Sequence, residues 1–430
     1  MIERAVDAAD VIPGGAHTYS KGDDQFPSNA PRSLERGEGA HVWDDTGRRF
    51  LDWGMGLRTM TLGYGVKPVI EAAIAQMWAG SNFTRPSRIE AETAQDLIDL
   101  IPSAQMVKFA KNGSTVTSAA VKLARAYTGR TQIAICADHP FYSYDDWFIS
   151  TTPCDNGINP DVRTFTATFR YNDRASVDAM FAEHGPQLAG LIMEAVTTDE
   201  PRDGFLQYVR EKCRANGTVF ILDEMITGFR WHLQGAQTLF GLDPDLSTFG
   251  KGIANGFSVS ALVGRREIMD LGGLRHDKKR VFLISTTHGA ENHALAACRA
   301  ALKIFRTEPV IEHLWSTGAG LIAGLNAAAA DAGVAAHVRA VGYPCSPALT
   351  FTDADGKPSL PFRTLFLQEM IERRVIANYF APSYAHTAAD VEHTVAAARE
   401  ALTVYRAALA QGIDGFLSGP AVKPVFRPYN

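Results

Sequence analysis

Two stretches of this chain are apolar at almost every position: LAGLIMEAV (Leu188–Val196) and GTVFILDEM (Gly217–Met225). A strand with one wet face alternates apolar and polar residues. A strand that is apolar throughout is covered on both faces, as in a parallel sheet. The residues between them, Gly204 to Asn216, carry helical spacing. Strand, helix, strand in that order predicts an α/β fold with a mainly parallel central sheet. QMVKFAK and TQIAICAD (Thr131–Asp138) read as further strands, RRFLDW as an earlier one after a DDTG turn, and Ser114–Tyr127 as a helix.

Ligands of an open parallel sheet sit beyond the carboxyl ends of its strands. Glu194, Asp223 and Glu224 fall at or beside such ends. A lone acidic residue there is as often a solvated strand end, but three of them point to a cleft. Around this sheet the chain divides into an N-terminal arm (1–45), a large domain (46–300) and a smaller α+β C-terminal domain (301–430). The arm is rich in Gly, Asn and Pro and reads as extended chain with turns over Pro13 to Arg32. The tail is Ala-rich and helical, with a strand expected at Ser346–Thr352.

The 430 residues carry a net charge of −5 and no basic run, which argues against nucleic acid or an anionic membrane as partner. No apolar run approaches the ~18 residues of a membrane span. The N-terminus lacks a basic-then-apolar signal pattern. The five cysteines are scattered without a C-x-x-C pair, so neither a disulfide framework nor a metal site is expected, and the compartment expected is the cytoplasm.

Three elements carry chemistry. Lys251 stands between Gly250 and Gly252 in PDLSTFGKGIANGF; a lysine amine in a dry cleft has a lowered pKa and adds to carbonyls. Alone, such a lysine reads as an ordinary surface-loop lysine. Asp223, in DEMITGFR, is a carboxylate at a buried strand end and needs a cationic partner. A protonated pyridine nitrogen is one such partner, and pyridoxal phosphate is the cofactor that uses it as an electron sink. KNGSTVTSAAVKLARA is a Gly-Ser-Thr turn opening a helix, whose free N–H groups suit a phosphate, although Ser and Thr also cap helices with no ligand.

Together these segments resemble the class III (fold-type I) pyridoxal-5′-phosphate-dependent aminotransferases, in particular the glutamate-1-semialdehyde 2,1-aminomutase branch. IPGG (Ile12–Gly15), FLDWGMG (Phe50–Gly56), LGYG (Leu62–Gly65), the NGST turn, DEMITGFR, FGKGIANGF and TTHGAENHALAA (Thr286–Ala297) carry the likeness over roughly residues 10 to 405. The resemblance implies that Lys251 forms the Schiff base and moves the proton, and that Asp223 holds the ring nitrogen. It places Met225 on one ring face, Phe141 on the other, and Glu194 near the ring hydroxyl. Gly113 and Ser114 would hold the phosphate with Thr287 of a partner chain, so a homodimer with composite sites is implied.

The chain departs from the branch where substrate would bind. Thr115 stands for a glutamate, Leu57 for a tryptophan, Phe141-Tyr142 for a tyrosine-histidine pair, and Lys21 for the arginine that holds the substrate carboxylate. A lysine lacks the two-pronged fork of a guanidinium. Lys21, Asp23, Asp24 and Tyr142 suit a polyhydroxylated or cationic guest, so an oxo-sugar or aminoglycoside aldehyde is the acceptor expected, with glutamate the default amino donor. The alternative is a 2,1-aminomutase of the glutamate-1-semialdehyde type, and the minor one a non-catalytic cofactor-binding regulator. Arg58, Arg85 and Arg230 are candidates for a donor's distal carboxylate. Arg427, in the tail, is expected to pack rather than enter a site.

Overall fold

The computed structural model describes residues 6–429. The first five residues of the expected arm and Asn430 of the expected C-terminal domain lie outside them. Contacts divide the chain into two units: one formed by the chain up to Leu57, Gly63–Gly65 and the chain from Glu312, the other by Arg58–Leu62 and Val66–Ile311.

The second unit is built on a seven-stranded sheet: β1 (Met106–Ala110), β2 (Gln132–Cys136), β3 (Thr166–Phe169), β4 (Leu188–Glu194), β5 (Val219–Asp223), β6 (Leu246–Phe249) and β7 (Ser260–Gly264). Their spatial order is β1-β7-β6-β5-β4-β2-β3. Every pair is parallel except those made by β7, which runs against both β1 and β6. The all-apolar strands behave as expected: every residue of β4 and β5 is buried. The expected strands and helices fall within a few residues of their observed bounds. β6 and β7 were not separated from the lysine loop in the sequence, because Ser and Thr interrupt both. Of the helices in this unit, α1 (Lys67–Ala79) packs against the helix Asn292–Thr307, and α2 (Gly113–Thr128) lies against the sheet.

In-register pairing is what assembles the site. Glu194 at the end of β4 pairs with Asp223 at the end of β5, and Asp223 pairs in turn with Thr248 of β6. Two carboxylates are thereby set side by side at the carboxyl edge, and Thr248, beside Asp223, stands three residues of chain before Lys251.

The first unit holds a four-stranded sheet (Leu34–Glu38, His41–Asp44, Arg49–Asp52 and Val375–Ile376), a hairpin of Val338–Val341 with Ala348–Phe351, and long helices Leu360–Glu372 and Ala388–Gln411. Its core gathers Trp53, Phe366, Met370, Leu402 and Tyr405. Trp53 stacks on His386 at 4.0 Å between ring centres and donates its indole N–H to Thr394 Oγ1 at 2.8 Å.

Candidate active site

The lysine loop is held in a conformation that side chains resist. Lys251 has φ of +44° and Asn255 of +46°. A left-handed non-glycine residue costs about 1–2 kcal/mol, so the surroundings must enforce it. They do so through the segment after Leu57. Leu62 N–H donates to Asn255 Oδ1 at 2.9 Å, and Thr61 Oγ1 lies so close to Gly252 that no Cβ fits there. Met60 Sδ lies 2.5 Å from where a Cβ on Gly256 would stand. Burial lowers the pKa of the Lys251 amine, Asp223 and Glu194 oppose that fall, and Arg58 and Arg230 add to it. The loop glycines thus give the approach expected of them.

Asp223 is 2% exposed. Burial raises its pKa, while Met225 N–H, the Lys251 charge and the Thr248 hydroxyl hold it down. The two hydrogen bonds that it accepts, from Met225 N at 2.9 Å and Thr248 Oγ1 at 3.1 Å, both go to Oδ1. Oδ2 remains for a further donor. Glu194 is pushed up more strongly, by burial and then by the neighbouring Asp223, against Lys251 and Arg58. Glu224, the third acid singled out, is buried apart from these. It accepts from Ala236 N, Gln237 N and the Thr227 hydroxyl, and so ties its own loop together.

Met225 packs between the two glycine turns. A Cβ on Gly250 would stand 2.6 Å from its Sδ, and one on Gly113 3.0 Å. Gly113 and Ser114 begin α2, capped by Asn112, whose Oδ1 accepts from Thr115 N at 3.0 Å. The hydroxyls of Ser258 and Ser260 donate to the carbonyls of Lys111 and Asn112, which fastens this turn to β7. Ser114 Oγ accepts from Tyr144 N at 3.1 Å and keeps its own proton to donate.

Other expected residues fall differently. Phe141 is 45% exposed and lies edge-on to Phe148. Tyr142 is not the substrate-facing group expected. It is buried, and its hydroxyl meets His139 Nδ1 at 2.8 Å. That same nitrogen accepts Glu194 N–H at 3.1 Å, so Tyr142 donates to it and the imidazole proton sits on Nε2. Burial lowers the His139 pKa to about 4. Thr287 is exposed and its carbonyl accepts from Asn82 Nδ2. Lys21, Asp23 and Asp24 belong to the other unit, on two short 3-10 turns. Asp24 is paired with Arg427 at 2.6 Å, so the tail arginine packs as expected and occupies a carboxylate that the sugar reading required. His139, Thr61 and the pairing of Thr248 with Asp223 were not singled out in the sequence. All three depend on contacts between distant segments.

The sequence profile of the class-III aminotransferase family matches residues 25–355. Glutamate-1-semialdehyde 2,1-aminomutase of Chloroflexus aurantiacus is 35% identical over 277 residues, 61% of this chain. That match spans only 62% of the relative's own length. The enzyme of that name from Syntrophobacter fumaroxidans is 31% identical over 92% of this chain and 95% of its own. The FumI protein of Sphingopyxis sp. MTA144, solved in its pyridoxal-phosphate internal aldimine form, superposes with a TM-score of 0.86 at 28% identity, covering 95% of this chain and 97% of that one. A glutamate-1-semialdehyde aminomutase from Pseudomonas aeruginosa, 20% identical, shares the fold with a TM-score of 0.78. The chain belongs to the class-III aminotransferases, the fold-type I pyridoxal-phosphate-dependent family that includes the glutamate-1-semialdehyde aminomutases.

Proposed function

We propose that this chain catalyses pyridoxal-phosphate-dependent amino-group transfer of the glutamate-1-semialdehyde aminomutase type, on a substrate bearing a carboxylate. The observation that carries it is the convergence of Lys251, Asp223 and Glu194 at one sheet edge. The relatives favour this over the oxo-sugar or aminoglycoside acceptor, and so do two placements: Asp24 is taken by Arg427 and the Tyr142 hydroxyl by His139.

The residues fit the cofactor. Asp223 has an oxygen left for a pyridinium N–H, α2 presents its free N–H groups behind Gly113, and the absence of Cβ atoms at Gly113 and Gly250 lets Met225 close the floor. When bound, the cofactor supplies an electron sink for a carbanion next to nitrogen. Asp223 keeps the ring nitrogen protonated. Gly113 and Ser114 hold the phosphate, with Thr287 of a partner subunit completing it in a homodimer. Phe141 and Met225 flank the ring. Lys251, made less basic by burial, takes and returns a proton at the substrate carbon. Glu194, held partly protonated beside Asp223, hydrogen-bonds the ring oxygen.

An intermolecular aminotransferase is the second reading, favoured by Lys21 standing where the branch has arginine. All five cysteines are free, which fits a reducing compartment for this chemistry. Among the described residues no helix is long and apolar enough to cross a membrane. The test is isotopic. The holoenzyme is given an equal mixture of unlabelled glutamate-1-semialdehyde and molecules carrying heavy carbon and heavy nitrogen together. Rearranged product formed with no added amino donor supports the aminomutase reading, whether heavy nitrogen stays with heavy carbon or passes between molecules through the cofactor. Scrambling that requires an added amino donor supports the second reading. No nitrogen movement from this or any amino acid contradicts both.

A further inference from the structure

The carboxyl end of β4 runs past the strand beside it. β2 ends at Cys136, and its last partner on β4 is Ile192, opposite Ile135. Glu194 stands two residues further on, beyond that ladder. Its N–H goes to a side chain instead of a strand carbonyl, to His139 Nδ1 at 3.1 Å. The same nitrogen receives the Tyr142 hydroxyl at 2.8 Å. Burial keeps the His139 ring neutral. Burial, with Cys136, Glu194 and Asp223 nearby, holds the Tyr142 hydroxyl in its protonated form. Acceptor and donor are therefore fixed. The remaining His139 N–H, on Nε2, is buried and meets no acceptor among the described residues, so what the ring offers its neighbours is the one acceptor at Nδ1.

Tyr142 belongs to a loop that is pinned to the first turns of α2. The Thr117 hydroxyl donates to the Tyr142 carbonyl at 2.9 Å, Tyr144 N–H donates to Ser114 Oγ at 3.1 Å, and the hydroxyls of Ser118 and Ser143 lie 3.1 Å apart. Phe141 stands in this loop between His139 and Tyr142. One imidazole nitrogen thus joins three parts of the site: the strand end that carries Glu194, the loop that carries Phe141, and the helix that opens at Gly113 and Ser114. A group held by a side chain whose own place is fixed keeps its geometry to a fraction of an ångström.

We infer that His139 is a positioning residue of this site, and that its Nδ1 sets Glu194 and Phe141 in one register against the cofactor ring. The inference rests on the amino-group-transfer reading. It also gives a reason for one departure from the aminomutase branch. Where the branch has a tyrosine-histidine pair, this chain has Phe141-Tyr142. Here the imidazole stands two residues before the stacking ring, and a tyrosine hydroxyl two residues on from Pro140 is its donor.

The test compares the parent holoenzyme with three variants. His139→Leu removes the acceptor, His139→Asn keeps an amide oxygen where Nδ1 stands, and Tyr142→Phe removes one donor. Each is titrated with pH while the visible band of the bound cofactor is followed. The rate with whichever of glutamate and glutamate-1-semialdehyde the parent converts is measured per bound cofactor, and stability is read separately in denaturant. His139→Leu is expected to move the midpoint of the band by at least about half a pH unit, because Glu194 leaves the ring oxygen. It is expected to slow conversion on the order of ten- to a hundredfold, with His139→Asn between it and the parent. Tyr142→Phe is expected to move both readings the same way by less, and the double variant to lose less than the product of the separate losses, since both break one unit. The inference is overturned if midpoint and rate hold in His139→Leu while stability falls, the mark of a merely structural residue. It is also overturned if His139→Asn recovers nothing. Should His139→Leu not fold, Tyr142→Phe decides, and an unmoved midpoint there overturns the inference. A parent without the visible band overturns the amino-group-transfer reading and the inference with it, whereas a parent with the band whose variants match it overturns the inference alone.

Discussion

Asp223 is the residue on which the proposed chemistry turns, and its environment explains why a carboxylate and not an amide is needed. Burial raises its pKa, yet Met225 N–H and the Thr248 hydroxyl both favour the ionised form on one oxygen. Asp223→Asn keeps the shape and both neighbours but removes the charge that keeps a pyridine proton in place. It is expected to slow the amino-group half-reaction on the order of a hundred- to thousand-fold, with the protein folded and Lys251 still modifiable, as read by stopped-flow absorbance. A loss below tenfold would remove Asp223 from the ring nitrogen. At this scale the sequence was readable wherever a residue sits in a local pattern: Lys251 between two glycines, Asp223 ending an apolar run, Gly113 and Ser114 opening a helix. It was unreadable where chemistry depends on long loops closing. Tyr142 looked like a binding residue because a hydroxyl on a Tyr-Asp-rich loop has no address. Its address, His139 Nδ1, is set by β4, some fifty residues downstream.

At the scale of elements, the site is an edge of a sheet closed by two glycine turns. Gly252 shows how little room is left. A methyl group there would overlap Thr61 Oγ1, which itself accepts from the buried Arg230. Gly252→Ala is therefore expected to destabilise the protein by about 1–3 kcal/mol in denaturant titration. Adding Thr61→Ala is expected to return part of that loss, and no recovery would show that the overlap is not its cause. Asn112→Ala removes the cap of α2 and is expected to cost about 1 kcal/mol. The mainly parallel sense of the sheet followed from the apolar runs of β4 and β5, whereas its strand order did not. The reversed strand β7 did not, because SVSALVG continues the lysine loop in sequence and its polar half faces the α2 turn through Ser258 and Ser260.

Each of the two units of the molecule contains a buried neutral histidine, His139 in one and His386 in the other. Burial lowers their pKa values to about 4 and about 3 from 6.5. The unfolded chain takes up these protons near pH 6.5 and the folded chain only near pH 4 and 3. Their contribution is thus fully present above pH 6.5 and is lost as pH falls through that window. At pH 5 the loss is about 2 kcal/mol for each histidine. Melting temperature is expected to drop between pH 7 and pH 5, and His386→Gln to flatten the drop; an unchanged slope would contradict it. The molecule also shows an apolar stripe on α1, where Ile70, Ile74, Met77 and Trp78 are exposed, Trp78 at 89%. Residues so spaced share one helix face, and the proposed homodimer needs a surface of this kind. Trp78→Asp with Met77→Asp is expected to shift the protein towards monomer in analytical ultracentrifugation. An unchanged sedimentation coefficient would place any dimer contact elsewhere. The most direct measurement is borohydride reduction of the yellow holoenzyme followed by peptide mass spectrometry. The expected result is one modified residue, Lys251, with the reduced cofactor attached and the colour fixed. A cofactor found on another lysine, or on none, contradicts the proposed chemistry.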